Sequence, residues 1–457
     1  MTVVEKRLLA PVDAAWLNMD STTNPMVITG LVRVTGLDGA GLAAFLQQHW
    51  LSLPRFQCRP VSVGGTWWWQ PQAALDLSQH LYCASGPLAD DGALEQQLAL
   101  CQQEPLARER PLWKFWHFPM ANGDHAVVIR LHHCYADGIT LVRLFESLTS
   151  DSPESPPAAA LARAERESAA PEPWQDSLLT WLRSRFSGLG SMEELSDALD
   201  QLTLTGGRLI KELGEFLLQP ADTPSSLTGT LSGQKHCVWS APVPLDRIKT
   251  LSRARGCTLN DVLLACVATA LHRQLLRAGD RVQDRQLQAA MPVDVRPLVP
   301  PALLPAAGGL GNLFGTVFVP LPMDAQSLLE RVYRIKHETQ RLKHSWQPGL
   351  SWGLLGAAGY LPPQWQAPLV AHFSSRASAV VSNVPGPREL RYLAGCPVRQ
   401  HLFWVPQTGN IGLGVSVISY AGQVQFGVQA DRNILPSPLP LLQDCLEALA
   451  EFEQGEH

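Results

Sequence analysis

Residues 124–148 constrain the fold of this chain more than any other stretch, because they specify a strand, a tight turn and a helix in immediate succession. The run 126–132 is apolar and rich in β-branched residues, which predicts a strand. Beyond the turn, apolar residues recur every three positions, which predicts a helix with one face on the core. The recurring residues are Ile139, Val142, Phe145 and Leu148.

Two adjacent histidines open this turn. Side chains alternate along a strand, so His132 and His133 should point to opposite faces, and one imidazole can face a cavity while the other is held inside the protein. An unperturbed imidazole has a pKa of about 6.5, which suits a general base. A structural histidine pair in a buried turn is the alternative interpretation.

Asp137 and Gly138 lie at the start of the predicted helix. Asp137 could orient the loop through an ion pair or cap the helix at its N-terminus. Arg296 is a candidate partner for that ion pair. Gly138 would let the backbone turn tightly into the helix.

The pattern His-His-x-x-x-Asp-Gly at 132–138 resembles the active-site signature of a large acyltransferase superfamily. That superfamily includes chloramphenicol acetyltransferase, carnitine acyltransferases and peptide-synthetase condensation domains. The resemblance implies that His133 is the catalytic base and that Asp137 organises its loop, with His132 and Gly138 completing the motif.

Four further motifs resemble the bacterial wax ester synthase/diacylglycerol acyltransferase family. They are Pro111-Leu112-Trp113, Asn260-Asp261, the Gly-Asn-x-Phe-Gly loop at 311–315, and Ser-Asn-Val-Pro-Gly-Pro at 382–387. Members of that family move a long acyl chain from coenzyme A to a fatty alcohol or a diacylglycerol. The resemblance implies an acyl-CoA co-substrate and no cofactor. It also implies an α/β fold of two chloramphenicol acetyltransferase-like domains, each a mixed β-sheet with flanking helices, joined by a helical linker.

These motifs supply further candidate site residues. Asn260 lies near a predicted helix N-terminus and has no evident structural role, so we expect it to act in catalysis. Asp261 fits a capping box with Thr258, which would explain it structurally. We expect substrate-binding roles for Pro111, Leu112, Trp113, Asp261 and Asn383. For Trp113 a role as a large core residue is an equal alternative.

The predicted organisation is an N-terminal domain over 1–150, a linker over 151–234 and a C-terminal domain over 235–457, with the active site between the domains. Strands at 399–405, 411–419 and 423–429 are expected to complete the C-terminal domain. Within the linker, 174–186 predicts an amphipathic helix with two arginines. Such a helix either packs across the domains or contacts a membrane peripherally.

Composition limits the classes of partner and compartment. The net charge is −5 and no basic cluster occurs, which argues against nucleic acid. The nine cysteines are scattered with no Cys-x-x-Cys pair, which indicates a reducing cytoplasm without disulfides or a metal site. Neither a signal peptide nor an apolar run of about 18 residues is present, so we expect at most a peripheral contact with a membrane or lipid droplet.

Three functions fit the sequence. The first is an O-acyltransferase in which His133 deprotonates an alcohol that attacks the thioester, with Asn260 stabilising the oxyanion; Cys134 as a covalent nucleophile is a rival mechanism. The second is a condensation-type enzyme that uses carrier-protein thioesters. The third is a non-catalytic lipid-surface binding protein of the same fold. The intact loop from His133 to Gly138 favours the first.

Overall fold

The computed structural model describes residues 6–72, 74–158, 214, 216, 218, 220–283, 285–298, 309–361 and 363–454. The amphipathic helix predicted for 174–186 lies outside the described residues.

The strand that ends at His132 is near the centre of a six-stranded sheet. In spatial order the strands are β13 (Tyr392–Leu393), β14 (Cys396–Trp404), β2 (Val27–Thr35), β7 (Asp124–His132), β6 (Trp113–Pro119) and β5 (Leu81–Cys83). Strand β6 pairs antiparallel with β7, with Trp113 opposite Leu131. Strand β6 therefore lies directly beside the histidine strand. A separate three-stranded sheet is also built from N-terminal residues, in the order β1 (Arg7–Leu8), β4 (Thr66–Pro71) and β3 (Cys58–Val63).

Strand β14 crosses between the two halves of the chain. It pairs antiparallel with β2, with Trp404 opposite Thr29, and so belongs to the N-terminal sheet. The expectation that 399–405 completes the C-terminal domain is therefore wrong. Hydrophobic alternation fixes which face of a strand is buried, but it does not name the partner strand. The boundaries predicted at 150 and 235 stay predictions.

The second sheet is mixed and is built from C-terminal residues. Its order is β11 (Phe314–Leu321), β10 (Leu287–Asp294), β12 (Ala379–Pro385), β15 (Leu413–Tyr420), β16 (Gln423–Asp431) and β8 (Lys235–Trp239), with β9 (Val243–Pro244) also on β16. Strand β12 runs parallel to both β10 and β15, and the other pairs are antiparallel. The predicted mixed α/β architecture is confirmed.

Helices cover these sheets. The described ones are α1 (Pro11–Met19), α2 (Gly39–Phe45), α3 (Asp91–Gln103), α4 (Gly138–Leu148), α5 (Leu245–Ala254), α6 (Leu259–Arg277), α7 (Leu328–Lys343), α8 (Gln347–Ala358), α9 (Pro363–Ser374) and α10 (Leu439–Gln454). Shorter helical turns span Leu46–Trp50, Pro54–Gln57 and Leu77–Gln79.

Helix α6 forms the centre of the C-terminal core. The predicted capping box is present: the Thr258 hydroxyl accepts from the Asp261 amide, and the Asp261 carboxylate accepts from the Thr258 amide. The run from Val262 to Leu271 is buried almost without interruption. Over this stretch the helix therefore packs on several sides, as expected where a helix is apolar all round.

Among the described helices, none alone is long and apolar enough to cross a membrane. Only α5 and α6 taken together meet that criterion, and the two are bent by 100° relative to each other.

Candidate active site

A large cavity lies where the two halves of the chain meet. Its volume is about 540 Å³, within the range of about 300–1,000 Å³ for small-molecule sites. The predicted residues His133, Asp137 and Gly138 line it from the N-terminal half, and Asn260 and Asn383 from the C-terminal half. Most of its remaining wall is apolar and comes from β10, β11, α8 and α9. The sequence therefore identified polar residues on both sides of this cavity.

His133 follows the last residue of β7 and is held on three sides. Its backbone amide donates to the Met26 carbonyl over 2.8 Å, which extends the strand pairing by one residue. Its ring stacks on Trp16 with centroids 4.3 Å apart, and Phe314 lies 5.5 Å away. The imidazole is thus fixed between aromatic rings at the cavity wall.

Asn312 determines which nitrogen of His133 carries the proton. Its amide nitrogen donates to the His133 carbonyl and to the Asp13 carboxylate, both at 2.8 Å. Both partners are acceptors in this arrangement, so the amide oxygen must face the His133 ring, and it lies 2.8 Å from Nδ1. Nδ1 therefore donates to Asn312, and Nε2 is left as the proton acceptor.

The pKa of His133 is about 4, mainly because burial disfavours the charged ring. The nearby Asp137 charge opposes this effect. His133 is consequently neutral at pH 7, the state a general base requires.

His132 has different surroundings, as strand alternation predicted. Its Nδ1 accepts from the Cys134 amide at 3.1 Å, and its Nε2 lies 3.8 Å from Asp20. Burial lowers its pKa. His132 does not line the cavity, so it supports the loop from inside.

Asp137 acts both as a helix cap and as an ion-pair partner, the two roles considered from the sequence. Its carboxylate accepts from the Thr140 amide at 2.7 Å and from the Leu313 amide at 2.8 Å. The Arg296 guanidinium donates to it at 2.9 Å and also pairs with Asp294 at 2.9 Å. These bonds connect the histidine loop to the C-terminal half.

Gly138 is not among the glycines with positive φ, so the turn does not require glycine for its backbone conformation. An added Cβ would lie 3.5 Å from Val384, which is ordinary contact. Gly138 lines the cavity, and because it has no side chain it leaves this part of the cavity wall open.

Asn260 and Asn383 contact each other at the cavity wall. The Asn383 amide nitrogen donates to the Asn260 oxygen at 3.0 Å. The amide group of Asn260 is thereby oriented at the start of α6, where the helix dipole favours negative charge.

The other predicted substrate-binding residues do not line this cavity. Pro111, Leu112 and Trp113 are buried, and the Trp113 indole donates to the Phe56 carbonyl at 2.8 Å. The Leu112 carbonyl accepts from the His132 amide at 2.9 Å. Asp261 is also buried, in its capping box. Their observed contacts support the histidine loop and α6.

Cys134, the rival nucleophile, is fully buried and does not line the cavity. Burial raises the pKa of its thiol well above the usual value, which disfavours the reactive thiolate. No group of three His, Cys, Asp or Glu side chains suited to a metal ion occurs in the described part of the chain.

Sequence reasoning missed the residues that hold the base. Asn312 belongs to a motif quoted above, but no role follows from that pattern, and Asp13 and Trp16 were not singled out. Asp13 and Asn312 are 299 positions apart. The only sequence signal for Asp13 is that it is an acidic residue in an otherwise largely apolar helical segment.

Two family descriptions match this chain. The wax ester synthase/diacylglycerol acyltransferase catalytic domain matches residues 9–263, and the WS/DGAT C-terminal domain matches residues 310–453. The chain belongs to the wax ester synthase/diacylglycerol acyltransferase family. It is therefore an acyltransferase.

Similar proteins agree with this membership. The probable diacylglycerol O-acyltransferase tgs1 of Mycobacterium tuberculosis is 25% identical over 413 residues, covering 87% of this chain and 83% of the relative. Another M. tuberculosis protein with the same enzyme name is 26% identical over 479 residues, covering 98% and 99%.

Solved structures show the same fold. The wax ester synthase/diacylglycerol acyltransferase of Marinobacter aquaeolei VT8 is similar with a TM-score of 0.68 and 23% identity, covering 98% of this chain and 99% of that one. The first condensation domain of the CDA synthetase is more distant, with a TM-score of 0.55 and 14% identity over 99% and 95%.

Proposed function

We propose that this acyltransferase moves a long-chain acyl group from acyl-CoA to the hydroxyl of a fatty alcohol or a diacylglycerol, with His133 as general base. The observation that carries the proposal is the free Nε2 of a neutral, buried imidazole at the wall of a large apolar cavity. The names of the mycobacterial relatives and the Marinobacter enzyme support the substrate class.

In this mechanism His133 Nε2 takes the proton of the bound hydroxyl while the oxygen attacks the thioester carbonyl. A tetrahedral oxyanion forms, and the Asn260 amide is the candidate donor to it. One such donor is typically worth about 2.7–4 kcal/mol. The C–S bond then breaks, and protonated His133 returns the proton to the departing thiolate of CoA. No other cofactor is required by this sequence of steps.

The test is CoA release from palmitoyl-CoA with hexadecanol and, separately, with diacylglycerol. His133→Ala should lower the rate by about 10²–10⁴-fold, the usual contribution of a positioned acid–base residue. His132→Ala is the matched control and should affect folding at least as much as activity, because its ring accepts a bond from the loop backbone. Near-normal turnover by the His133 variant would refute its role as the base.

We also propose that the enzyme works in the cytoplasm and meets its lipid substrates at a membrane or lipid-droplet surface. The nine cysteines all lie in described residues and none forms a disulfide there, which supports a reducing compartment. Between Lys343 and Arg376 there are 32 residues without Asp, Glu, Lys or Arg, where a chain with 17% charged residues would carry about five.

This charge-free segment includes α8 and α9, and both helices line the cavity. Trp346, at the start of α8, is 45% exposed, and Tyr360, just beyond its end, is 54% exposed. These two exposed aromatic residues therefore flank α8 at its two ends. Exposed apolar area beside a lipid-binding cavity supports contact with a lipid surface.

A further inference from the structure

A buried hydrogen-bond chain extends behind the proposed base. Asp13 lies in the first turn of α1, and its carboxylate is 3% exposed. It accepts from Asn312 at 2.8 Å, and Asn312 in turn accepts from His133 Nδ1 at 2.8 Å. The same helix supplies Trp16, which stacks on the His133 ring. One helical turn therefore supports both the position and the hydrogen bonding of the imidazole.

Asp13 makes the orientation of the Asn312 amide asymmetric. If that amide rotated by 180°, its oxygen would face both the Asp13 carboxylate and the His133 carbonyl, and its nitrogen would face the His133 ring. Two acceptors would then meet in a buried site, and His133 would have to accept at Nδ1 and carry its proton on Nε2. A proton on Nε2 removes the base, so the rotated form would be inactive.

Several charged or titratable groups surround this carboxylate. Arg55, on the short helix Pro54–Gln57, lies 3.8 Å from Asp13, while Asp137 and Cys134 are further electrostatic neighbours. Burial raises the pKa of Asp13 to about 7, with Arg55 opposing the rise. Above about pH 7 the carboxylate can also stabilise the imidazolium that forms on His133 during turnover.

We propose that Asp13 is a positioning residue for acyl transfer: through Asn312 it holds His133 in the tautomer whose Nε2 faces the substrate. The proposal concerns the hydrogen-bond chain Asp13–Asn312–His133, and it rests on the proposed function only for its kinetic assay. A tautomer measurement on the protein itself tests the chain independently of any substrate.

The kinetic test is a double-mutant cycle. Asp13→Asn preserves the shape of the side chain and removes its charge. It also removes one of the two fixed acceptors that orient the Asn312 amide, the other being the His133 carbonyl. We expect kcat to fall about 10- to 100-fold with KM little changed, as for groups that orient a metal-bound histidine from behind. In an Asn312→Ala background the same substitution should change kcat by less than about 2-fold. Independent, multiplicative losses would overturn the proposal.

A matched control separates this role from the removal of any buried acid. Asp222 is also a buried carboxyl with a pKa raised to about 7 by burial, and it accepts from Ser378 away from the cavity lining. Asp222→Asn should lower the melting temperature without lowering kcat. If Asp13→Asn behaves in the same way, Asp13 is only structural.

Histidine ring ¹H–¹⁵N correlation spectra at pH 8, above the pKa of about 7 for Asp13, provide the second readout, with the His133→Ala spectrum identifying the signal. The wild-type ring should show a protonated Nδ1, and Asp13→Asn should shift the ring toward a protonated Nε2. An unchanged tautomer in Asp13→Asn would overturn the proposal. Lack of CoA release by the wild-type protein, together with a tautomer change, would refute the substrate assignment but not the hydrogen-bond chain.

Discussion

Replacing Asp137 by alanine should reduce stability and activity together. The carboxylate accepts from two backbone amides and from Arg296, and the two charged side chains are only 3% and 11% exposed. Removing one partner of a buried ion pair costs about 3–5 kcal/mol, and loss of a helix N-cap costs about 1 kcal/mol. Asp294 still pairs with Arg296 in the variant. We therefore expect the free energy of unfolding to fall by about 3–5 kcal/mol, rather than by the sum of the two costs.

The assay is urea unfolding followed by tryptophan fluorescence, in parallel with CoA release. Arg296→Met supplies the other arm of a double-mutant cycle. The double variant should be more stable than the sum of the single losses indicates, because no uncompensated buried charge remains. A fully stable but inactive Asp137→Ala protein would refute this reasoning and indicate that Asp137 takes part in the chemistry.

Three further predictions concern acidity, the oxyanion and lipid contact. Burial lowers the pKa of His133 and His401 to about 4, below the value of about 6.5 in the unfolded chain. Between pH 6.5 and 4 only the unfolded chain binds these protons, so the free energy of unfolding should fall as the pH is lowered through this range. His401→Phe should make the urea midpoint fall less between these two pH values. Asn260→Ala should lower kcat about 10²–10³-fold with unchanged unfolding, and a loss confined to KM would contradict its role as oxyanion donor. Trp346→Glu and Tyr360→Glu should each reduce flotation of the protein with anionic vesicles. Leu276→Glu, a substitution at an exposed residue outside the charge-free segment, should not reduce it. Equal flotation of all three variants would locate lipid contact elsewhere.

Much of the histidine loop could be predicted from the sequence because its signals are local. Strand alternation separated His132 from His133, and helix capping chemistry identified both Asp137 and the Thr258–Asp261 pair. These effects act over a few residues, so the pattern of side chains contains them. The ion pair between Asp137 and Arg296 was anticipated only as a candidate, since charge complementarity alone cannot select one arginine among many.

The remaining features depend on distant residues. Trp113 carries the same signal whether it lines a substrate site or fills a core, and only the packed structure shows that its indole reaches the Phe56 carbonyl. The position of β14 in the N-terminal sheet is decided by pairing across more than 360 residues of chain, as with Trp404 opposite Thr29. Likewise, Asp13 becomes informative only when Asn312 is beside it.

The separation of these residues along the chain has a functional consequence. His133 comes from the N-terminal half, whereas Asn312, Arg296 and Asn260 come from the C-terminal half. If the halves separated, His133 would lose Asn312, which sets its tautomer, and Asp137 would lose its ion pair with Arg296. Burial at the same junction keeps the imidazole neutral and excludes water that could compete with the acceptor hydroxyl. The base, its orientation and its dry surroundings therefore arise together from docking of the two halves, so variants that loosen the junction should lose activity before they lose either sheet.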